Sequence, residues 1–280
     1  MPELPEVETI ARGLAARVTG DVIESVWVGG KPEPLKSPAR EIVRTLTGAR
    51  ITGVRRVGKH IVFDLRRRPS VVGRRPSRRN AEEHAQWIVH LGMTGNLVVC
   101  APGAELAKHT HAIARLGSGR EIRFVDPRRF GRLAVHRDFR APGSEPLDLG
   151  VEIFSKLFRR RKTPIKSALL NQKLLSGVGN IYADEALFRA AIRPRRRAAS
   201  LTRNHLQRLY EALQQVLNEA IAAGGSSVSD YVDAAGAEGL FQFEHRVYQR
   251  TGEPCLVCRT PIKRLVLAGR SAHYCPKCQT

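Results

Sequence analysis

CLVCRTPIKRLVLAGRSAHYCPKC, Cys255 to Cys278, holds four of the five cysteines of this 280-residue chain as two CxxC pairs with sixteen residues between them. Two such knuckles bring four thiolates to one tetrahedral zinc, and KRLVLAGR, turning near Ala268 and Gly269, reads as the hairpin that joins them. A site closed by Cys255, Cys258, Cys275 and Cys278 leaves no open coordination position, so its one zinc ion is structural. The competing reading is a redox CxxC pair or two disulfides, but cysteines crowded into one end do not make a disulfide framework. Four thiolates and a dication carry about −2. Lys263, Arg264, Arg270 and Lys277 surround that charge, partly to offset it and partly free for phosphate. Cys100, in the apolar run LVVC, reads as a small buried hydrophobe.

Working back from this ribbon, the apolar period is helical. It predicts helices near Pro164 to Leu170, from Ile181 to Ala190, and from about Leu201 to Ala223, the last with Leu206, Leu209, Leu213, Val216 and Leu217 on one face. A Gly/Ser-rich loop follows from Gly224. APGSEPLDLG, Ala141 to Gly150, has the composition of an interdomain linker. Before it, after a short helix striped by Val7, Ile10, Ala11 and Leu14, come short β-rich runs punctuated by Gly and Pro, which favour an antiparallel sandwich or barrel over a doubly wound sheet. Arg66 to Gln86, with seven Arg and little apolar matter, reads as an extended loop between two strands. The expected class is a two-domain α/β protein, divided into a β-rich domain over 1–140, a linker over 141–150, a helical domain over 151–243 and a zinc finger over 244–280.

Charge indicates the partner. The chain has 47 Lys and Arg against 26 Asp and Glu, a formal +21, and only ten of the cations are Lys. Arg pairs bidentately with phosphate and stacks on bases, so nucleic acid is the default partner. No apolar run approaches the roughly 20 residues of a membrane span, and the start MPELPEVE is acidic where a signal peptide would be basic. The expectation is a soluble, cytoplasmic, nucleic-acid-binding protein.

Two further stretches carry chemistry. Gly177-Val178-Gly179-Asn180 opens a helix, and a glycine-rich turn there presents backbone N–H groups to an anion, with Asn180 placed to cap the helix or donate to a phosphate. An ordinary capped helix has the same pattern. At the N-terminus, Glu3, Glu6 and Glu8 crowd Pro2 in an otherwise basic chain. Carboxylates favour a helix N-terminus in any case. Removal of Met1 would leave Pro2 as a secondary amine, however, and an α-amino group with a pKa of about 7.7–8.0 against about 10.4 for Lys is unprotonated roughly a hundredfold more often near neutrality. Flanking carboxylates then serve as proton shuttles.

In order along nearly the whole chain, PELPEVE, Lys59 in RRVGKH, HLGMTG (His90 to Gly95), KHTH (Lys108 to His111), DPRRFG (Asp126 to Gly131), GVGNIYADEALF (Gly177 to Phe188) and the double CxxC resemble the formamidopyrimidine-DNA glycosylase family. The resemblance implies an N-terminal antiparallel β-sandwich with flanking helices, a helix-two-turn-helix domain and a zinc finger, acting as a monomer on double-stranded DNA with oxidised bases. It also implies a bifunctional base-excision enzyme. Pro2 attacks C1′ and forms a Schiff base; Glu3 helps open the sugar and shuttles protons; Glu6 is the second carboxylate; Lys59 is a proton donor that touches phosphate. Met93, Arg128 and Phe130 match the wedge that fills the hole left by an extruded base. His109, in KHTH, falls in the DNA-contacting set, and Lys166, Asn180 and Arg270 match the phosphate-pinning residues. Leu4 points to the oxidised-purine branch, the sister branch for oxidised pyrimidines usually reading PEGPE.

Two departures stand out. The Arg-rich stretch is longer than the family's usual connection. In GGSSVSDYVDAAGAEG, which matches the segment that closes over an extruded 8-oxoguanine, Ser229 stands where relatives commonly carry Lys or Arg. The rival readings are a glycosylase for oxidised pyrimidines and a non-catalytic zinc-ribbon binder, which gains nothing from Pro2, Glu3 and Lys59 together.

Overall fold

The computed structural model describes residues 1–67, 83–228 and 231–280. Most of the Arg-rich stretch, residues 68–82, and Ser229 lie outside them. The chain divides into two units, one of Met1–Pro2, Glu6–Arg140 and Ser227–Gly239, the other of Glu3–Pro5, Ala141–Ser226 and Leu240–Thr280.

The first unit is antiparallel β structure with helices, in keeping with the short alternating runs. Helix α1 (Leu4–Val18) is followed by β1 (Ile23–Val28), α2 (Ala39–Leu46), β2 (Arg50–Val57), β3 (His60–Arg67), β4 (Glu83–His90), β5 (Asn96–Cys100), β6 (Thr110–Leu116), β7 (Glu121–Val125) and β8 (Arg132–His136). They form two four-stranded sheets, ordered β1-β6-β7-β5 and β2-β3-β4-β8. Val7, Ile10, Ala11 and Leu14 of α1 are buried in one core with Ile61, Phe63 and Trp87 from one sheet and Leu97, Ile122 and Phe124 from the other. The inner faces of both sheets and the stripe of one helix therefore share a single apolar interior.

Three expectations change here. Strands β3 and β4 pair as far as Arg67 with Glu83, so Arg66, Arg67 and Glu83 to Gln86 belong to the sheet and not to a loop. Cys100 is half-exposed, because β5 is the last strand of its sheet and has a neighbour on one side only. Helix α2 is not among the expected elements: Ala39, Ile42, Val43 and Leu46 stand at i, i+3, i+4 and i+7, but eight residues repeat that stripe over only about two turns.

The second unit holds α3 (Val151–Phe158), α4 (Ile165–Leu169), α5 (Asn180–Arg189), α6 (Arg203–Ala222) and the hairpin β9 (Lys263–Leu267) and β10 (Arg270–Tyr274). The five-residue apolar face expected for the long helix is buried. That helix begins at Thr202, whose hydroxyl accepts the His205 N–H at 3.3 Å while the His205 ring accepts the Thr202 N–H, a reciprocal cap. Glu185 is fully buried, and its carboxylate accepts the backbone N–H groups of Arg246, Val247 and Tyr248 at 2.9 to 3.1 Å. Burial pushes the Glu185 carboxyl up and those donors pull it down. The β9–β10 hairpin turns at Ala268 and Gly269, both at positive φ (46° and 75°), as a two-residue hairpin turn requires. Helix α3 is the other element not among those expected: Val151, Phe154 and Phe158 fall at i, i+3 and i+7, but the run is short and directly follows a stretch with linker composition.

Candidate active site and metal centre

The GVGN turn holds an anion, and that anion belongs to the chain itself. Glu3 Oε1 accepts the Ile181 N–H at 3.2 Å and Oε2 lies 3.5 Å from the Tyr182 nitrogen, so the carboxylate takes up the open donors at the start of α5. A Cβ at Gly179 would stand 2.1 Å from the Glu3 Cδ. At Gly177, with φ of +97°, it would stand 3.0 Å from the side chain of Leu4, whose N–H donates to the Gly177 carbonyl at 3.0 Å. The two glycines make room for Glu3 and Leu4. The expected phosphate seat is thereby corrected: the turn fixes a carboxylate beside Pro2 in sequence. Asn180 does not cap α5 either, since Gly179 takes the cap position without a side-chain bond, and Asn180 Nδ2 donates to Ser271 Oγ at 3.3 Å.

If Glu3 has the role that the resemblance implies, Gly179→Ala is expected to slow base excision about tenfold to a hundredfold, because misplacing a reacting group by about 1 Å costs that much. Single-turnover excision kinetics and a thermal melt check it; a slowed rate accompanied by global unfolding would assign the loss to folding instead.

Lys166 lies inside the second unit and not at the surface, where the resemblance puts a phosphate contact. It is fully buried, with Nζ 2.6 Å from Asp184 Oδ1, and it donates to the Ser271 carbonyl. Asp184 Oδ2 also accepts the backbone N–H of His273 at 2.9 Å and contacts its Nδ1 at 3.0 Å. Burial lowers the Lys166 pKa, while Asp184 and Glu3 work against that. The pair ties α4, α5 and β10 together, and Arg270 stands exposed at the start of β10. Sequence reasoning misses Asp184; its only signal is a carboxylate within an apolar helix.

In the first unit, Pro2 is buried, as is Glu6 in the first turn of α1. Lys59 shares the two-residue turn of the β2–β3 hairpin with Gly58, whose φ is +59°, and is also buried. The following residue, His60, packs its ring 4.9 Å from that of His90. Burial, reinforced by His60, Arg132 and Lys59, holds His90 down to about 4, and its Nδ1 accepts the Gly92 N–H at 3.1 Å. Sequence reasoning misses both histidines, although His90 opens the HLGMTG motif.

Met93, His109, Arg128 and Phe130 sit on loops joined by one residue, Asp126. Asp126, fully buried, accepts the Thr94 hydroxyl at 2.6 Å and the N–H of Gly131 at 2.7 Å, and its own N–H donates to the His109 carbonyl at 3.0 Å. His109 takes φ of +71° at this junction. At Gly92, also at positive φ, a Cβ would lie 2.5 Å from the Phe130 backbone, so the two loops touch main chain to main chain. Against this base Met93 and Phe130 are exposed to 40% and 51%, with the Arg128 guanidinium 4.7 Å from the Phe130 ring centre. An exposed thioether, cation and ring held in this way offer stacking surface to a base.

The four sulfurs of Cys255, Cys258, Cys275 and Cys278 lie within 4.8 Å of one another. Cys258 and Cys275 are 3.4 Å apart and Cys255 and Cys278 3.9 Å. A tetrahedral zinc with bonds of about 2.3 Å needs sulfur separations of about 3.8 Å, so the set fits. Phe188, Val247 and Ile262 pack around the thiols.

Three family descriptions match in order: formamidopyrimidine-DNA glycosylase N-terminal domain over residues 1–133, formamidopyrimidine-DNA glycosylase H2TH domain over 141–232, and a zinc finger found in FPG and IleRS over 252–280. The chain belongs to the formamidopyrimidine-DNA glycosylase family. The formamidopyrimidine-DNA glycosylase of Solibacter usitatus is 44% identical over 289 residues, covering 100% of this chain and 99% of that one. The crystal structure of the MutM (Fpg) protein from Thermus thermophilus matches with a TM-score of 0.83 at 40% identity, covering 99% of this chain and 98% of that one. A Lactococcus lactis Fpg point mutant in complex with DNA containing Fapy-dG matches with a TM-score of 0.86 at 30% identity, covering 100% of both chains. Membership also supports the sulfur geometry: the four cysteines form the site for one structural zinc ion.

Proposed function

We propose that this protein is a base-excision-repair DNA glycosylase and AP lyase that removes oxidised purines, 8-oxoguanine and formamidopyrimidines, from double-stranded DNA. The observation that carries this reading is the Glu3 carboxylate, fixed on the first turn of α5 and adjacent in sequence to Pro2. A pure binder has no use for a buried carboxylate beside its second residue.

With Met1 removed, the Pro2 nitrogen lone pair forms a bond to C1′ and the glycosidic bond breaks, the base leaving with the electron pair of that broken bond and taking up a proton. Opening of the sugar, C1′ to O4′, yields the iminium of a Schiff base, with Glu3 shuttling the proton to the ring oxygen. Loss of a C2′ proton expels the 3′ phosphate, and a second elimination expels the 5′ phosphate, with Lys59 as proton donor and Glu6 as the supporting carboxylate. Met93, Arg128 and Phe130 fill the space that the extruded base leaves. Asn180, Arg270 and His109 meet the backbone. Lys166 acts from the interior, holding Ser271 and thus the loop that presents Arg270. The zinc ion, held by Cys255, Cys258, Cys275 and Cys278, supplies structure only.

Among the described residues no helix is long and apolar enough to cross a membrane. We place the protein in the bacterial cytoplasm, as a monomer on chromosomal DNA.

Excision from matched duplexes is expected to be faster for 8-oxoguanine and formamidopyrimidine than for an oxidised pyrimidine. Single-turnover rates on the three substrates decide it. A higher rate on the pyrimidine would move the protein to the sister branch, and absence of any base release would leave the binder.

A further inference from the structure

Outside the residues already used, the largest concentration of charge in the second unit lies on two short segments. Residues 159–164 and 193–210 contain ten Arg and Lys and no Asp or Glu. They adjoin in space: the Ala199 N–H donates to the Arg161 carbonyl at 2.8 Å, Ala198 to Thr163 at 3.0 Å, and Ile165 to Arg196 at 2.7 Å, with Pro164 and Arg197 paired as an antiparallel bridge. Some of these cations have local duties. Arg193 donates to the carbonyls of Gln279 and Pro276, Arg203 pairs with Glu152 at 2.8 Å, and Arg161 donates to its own helix end at Leu157. Arg196 lies between the His205 ring and the Thr280 carbonyl. Arg159, Arg160, Lys162, Arg195, Arg197 and Arg208 are exposed and have no carboxylate partner among the described residues. His205, at the start of α6, is lowered by burial and then by Arg196 and Arg208, which is how a local positive field acts on a neighbouring base.

Six exposed cations without counter-charges repel one another, and nothing in the fold of the unit uses them. The arrangement gains free energy only when a polyanion displaces its own counterions onto them. Its place is separate from the phosphate-pinning residues. The run from Arg193 leaves the far end of α5, a ten-residue helix, about 15 Å from Asn180. That is four to five steps of duplex at about 3.4 Å each. We propose that this cationic strip, centred on Arg159, Arg160, Lys162 and Arg197, is a second backbone-phosphate site that grips duplex DNA away from the lesion. It goes beyond the excision reaction, because it reads no base and adds length-dependent, salt-sensitive hold on any DNA.

The test replaces Arg159, Arg160, Lys162 and Arg197 together by Gln. All four are exposed, so the fold is not at risk. On undamaged duplex of about 40 base pairs, the slope of log affinity against log salt is expected to flatten by about 3.6, from about 0.9 for each of the four phosphate contacts, with a loss of about tenfold or more in affinity. On a lesion duplex with only about three base pairs on either side of the lesion, short of the four to five steps that separate the strip from Asn180, affinity and excision rate are expected to stay as they were. Equal loss on both lengths, or an unchanged slope, overturns the proposal. So does a wild-type preference for single-stranded RNA over duplex that disappears in the variant. Because binding is read on undamaged DNA, a failure here is distinguishable from a failure of the glycosylase reading.

Discussion

A chain that keeps Met1 is expected to give no covalent adduct when borohydride is added to it on DNA containing 8-oxoguanine, while the processed chain beginning at Pro2 gives one. In the unprocessed chain the Pro2 nitrogen is an amide, its lone pair delocalised into the carbonyl, and it cannot form an iminium. Freed, it is a secondary amine whose neutral fraction near pH 7 exceeds that of a surface lysine by about a hundredfold. Glu3→Gln separates the steps: base release is expected to fall by about 10² to 10⁴, the usual range for a lost acid–base group. Trapping on DNA that already holds an abasic site should survive, since that carbonyl needs no base expelled. Peptide mapping of the reduced adduct identifies the nitrogen. Attachment at Lys59, or normal trapping by the unprocessed chain, would remove Pro2 from its role.

Removing the metal is the second large effect. Zinc bound to a closed cysteine set is worth about 10–16 kcal/mol of apparent folding free energy in small fingers at neutral pH, as much as the about 5–15 kcal/mol that stabilises a whole domain. Among the described residues the apolar cluster around Cys255 and Cys275 adds only Phe188, Val247 and Ile262, a small core for a ribbon without its ion. Cys275→Ser is therefore expected to release the one zinc per chain and to remove most DNA affinity. Arg270→Ala keeps the zinc and flattens the salt dependence by about one unit. Metal analysis finding no zinc in active protein, or full DNA affinity in Cys275→Ser, contradicts this.

What is legible in the sequence is what is local. Four cysteines at fixed spacing define their own geometry, and the stripe from Leu206 to Leu217 lies on one helix whatever surrounds it. GVGN misleads because a local pattern reveals that an anion sits at a helix start but not whose it is; Glu3 reaches it from 178 positions away. Lys166 misleads for a related reason. Its burial depends on Asp184 and His273, distant in sequence, and without them a lysine belongs at the surface. Asp126 is legible only as part of DPRRFG, because the loops it joins, around Thr94, His109 and Gly131, meet only in the folded unit. Helices α2 and α3 are lost to their length, as eight residues make only about two turns, shorter than the window of about 11 over which periodicity is resolved.

The β9–β10 hairpin has one more property. Its pairing runs from Arg270 opposite Leu267 to Tyr274 opposite Lys263, with Cys275 immediately following. In a two-stranded ribbon a slip of one position turns every side chain to the opposite face, and here it would exchange the directions of Arg270 and Ser271. Cys275, directly at the outer end of β10, is fixed by the ion and opposes such a slip. The ion thus acts as a ruler: it sets which side of the ribbon the arginine faces, a property distinct from how firmly the ribbon is folded.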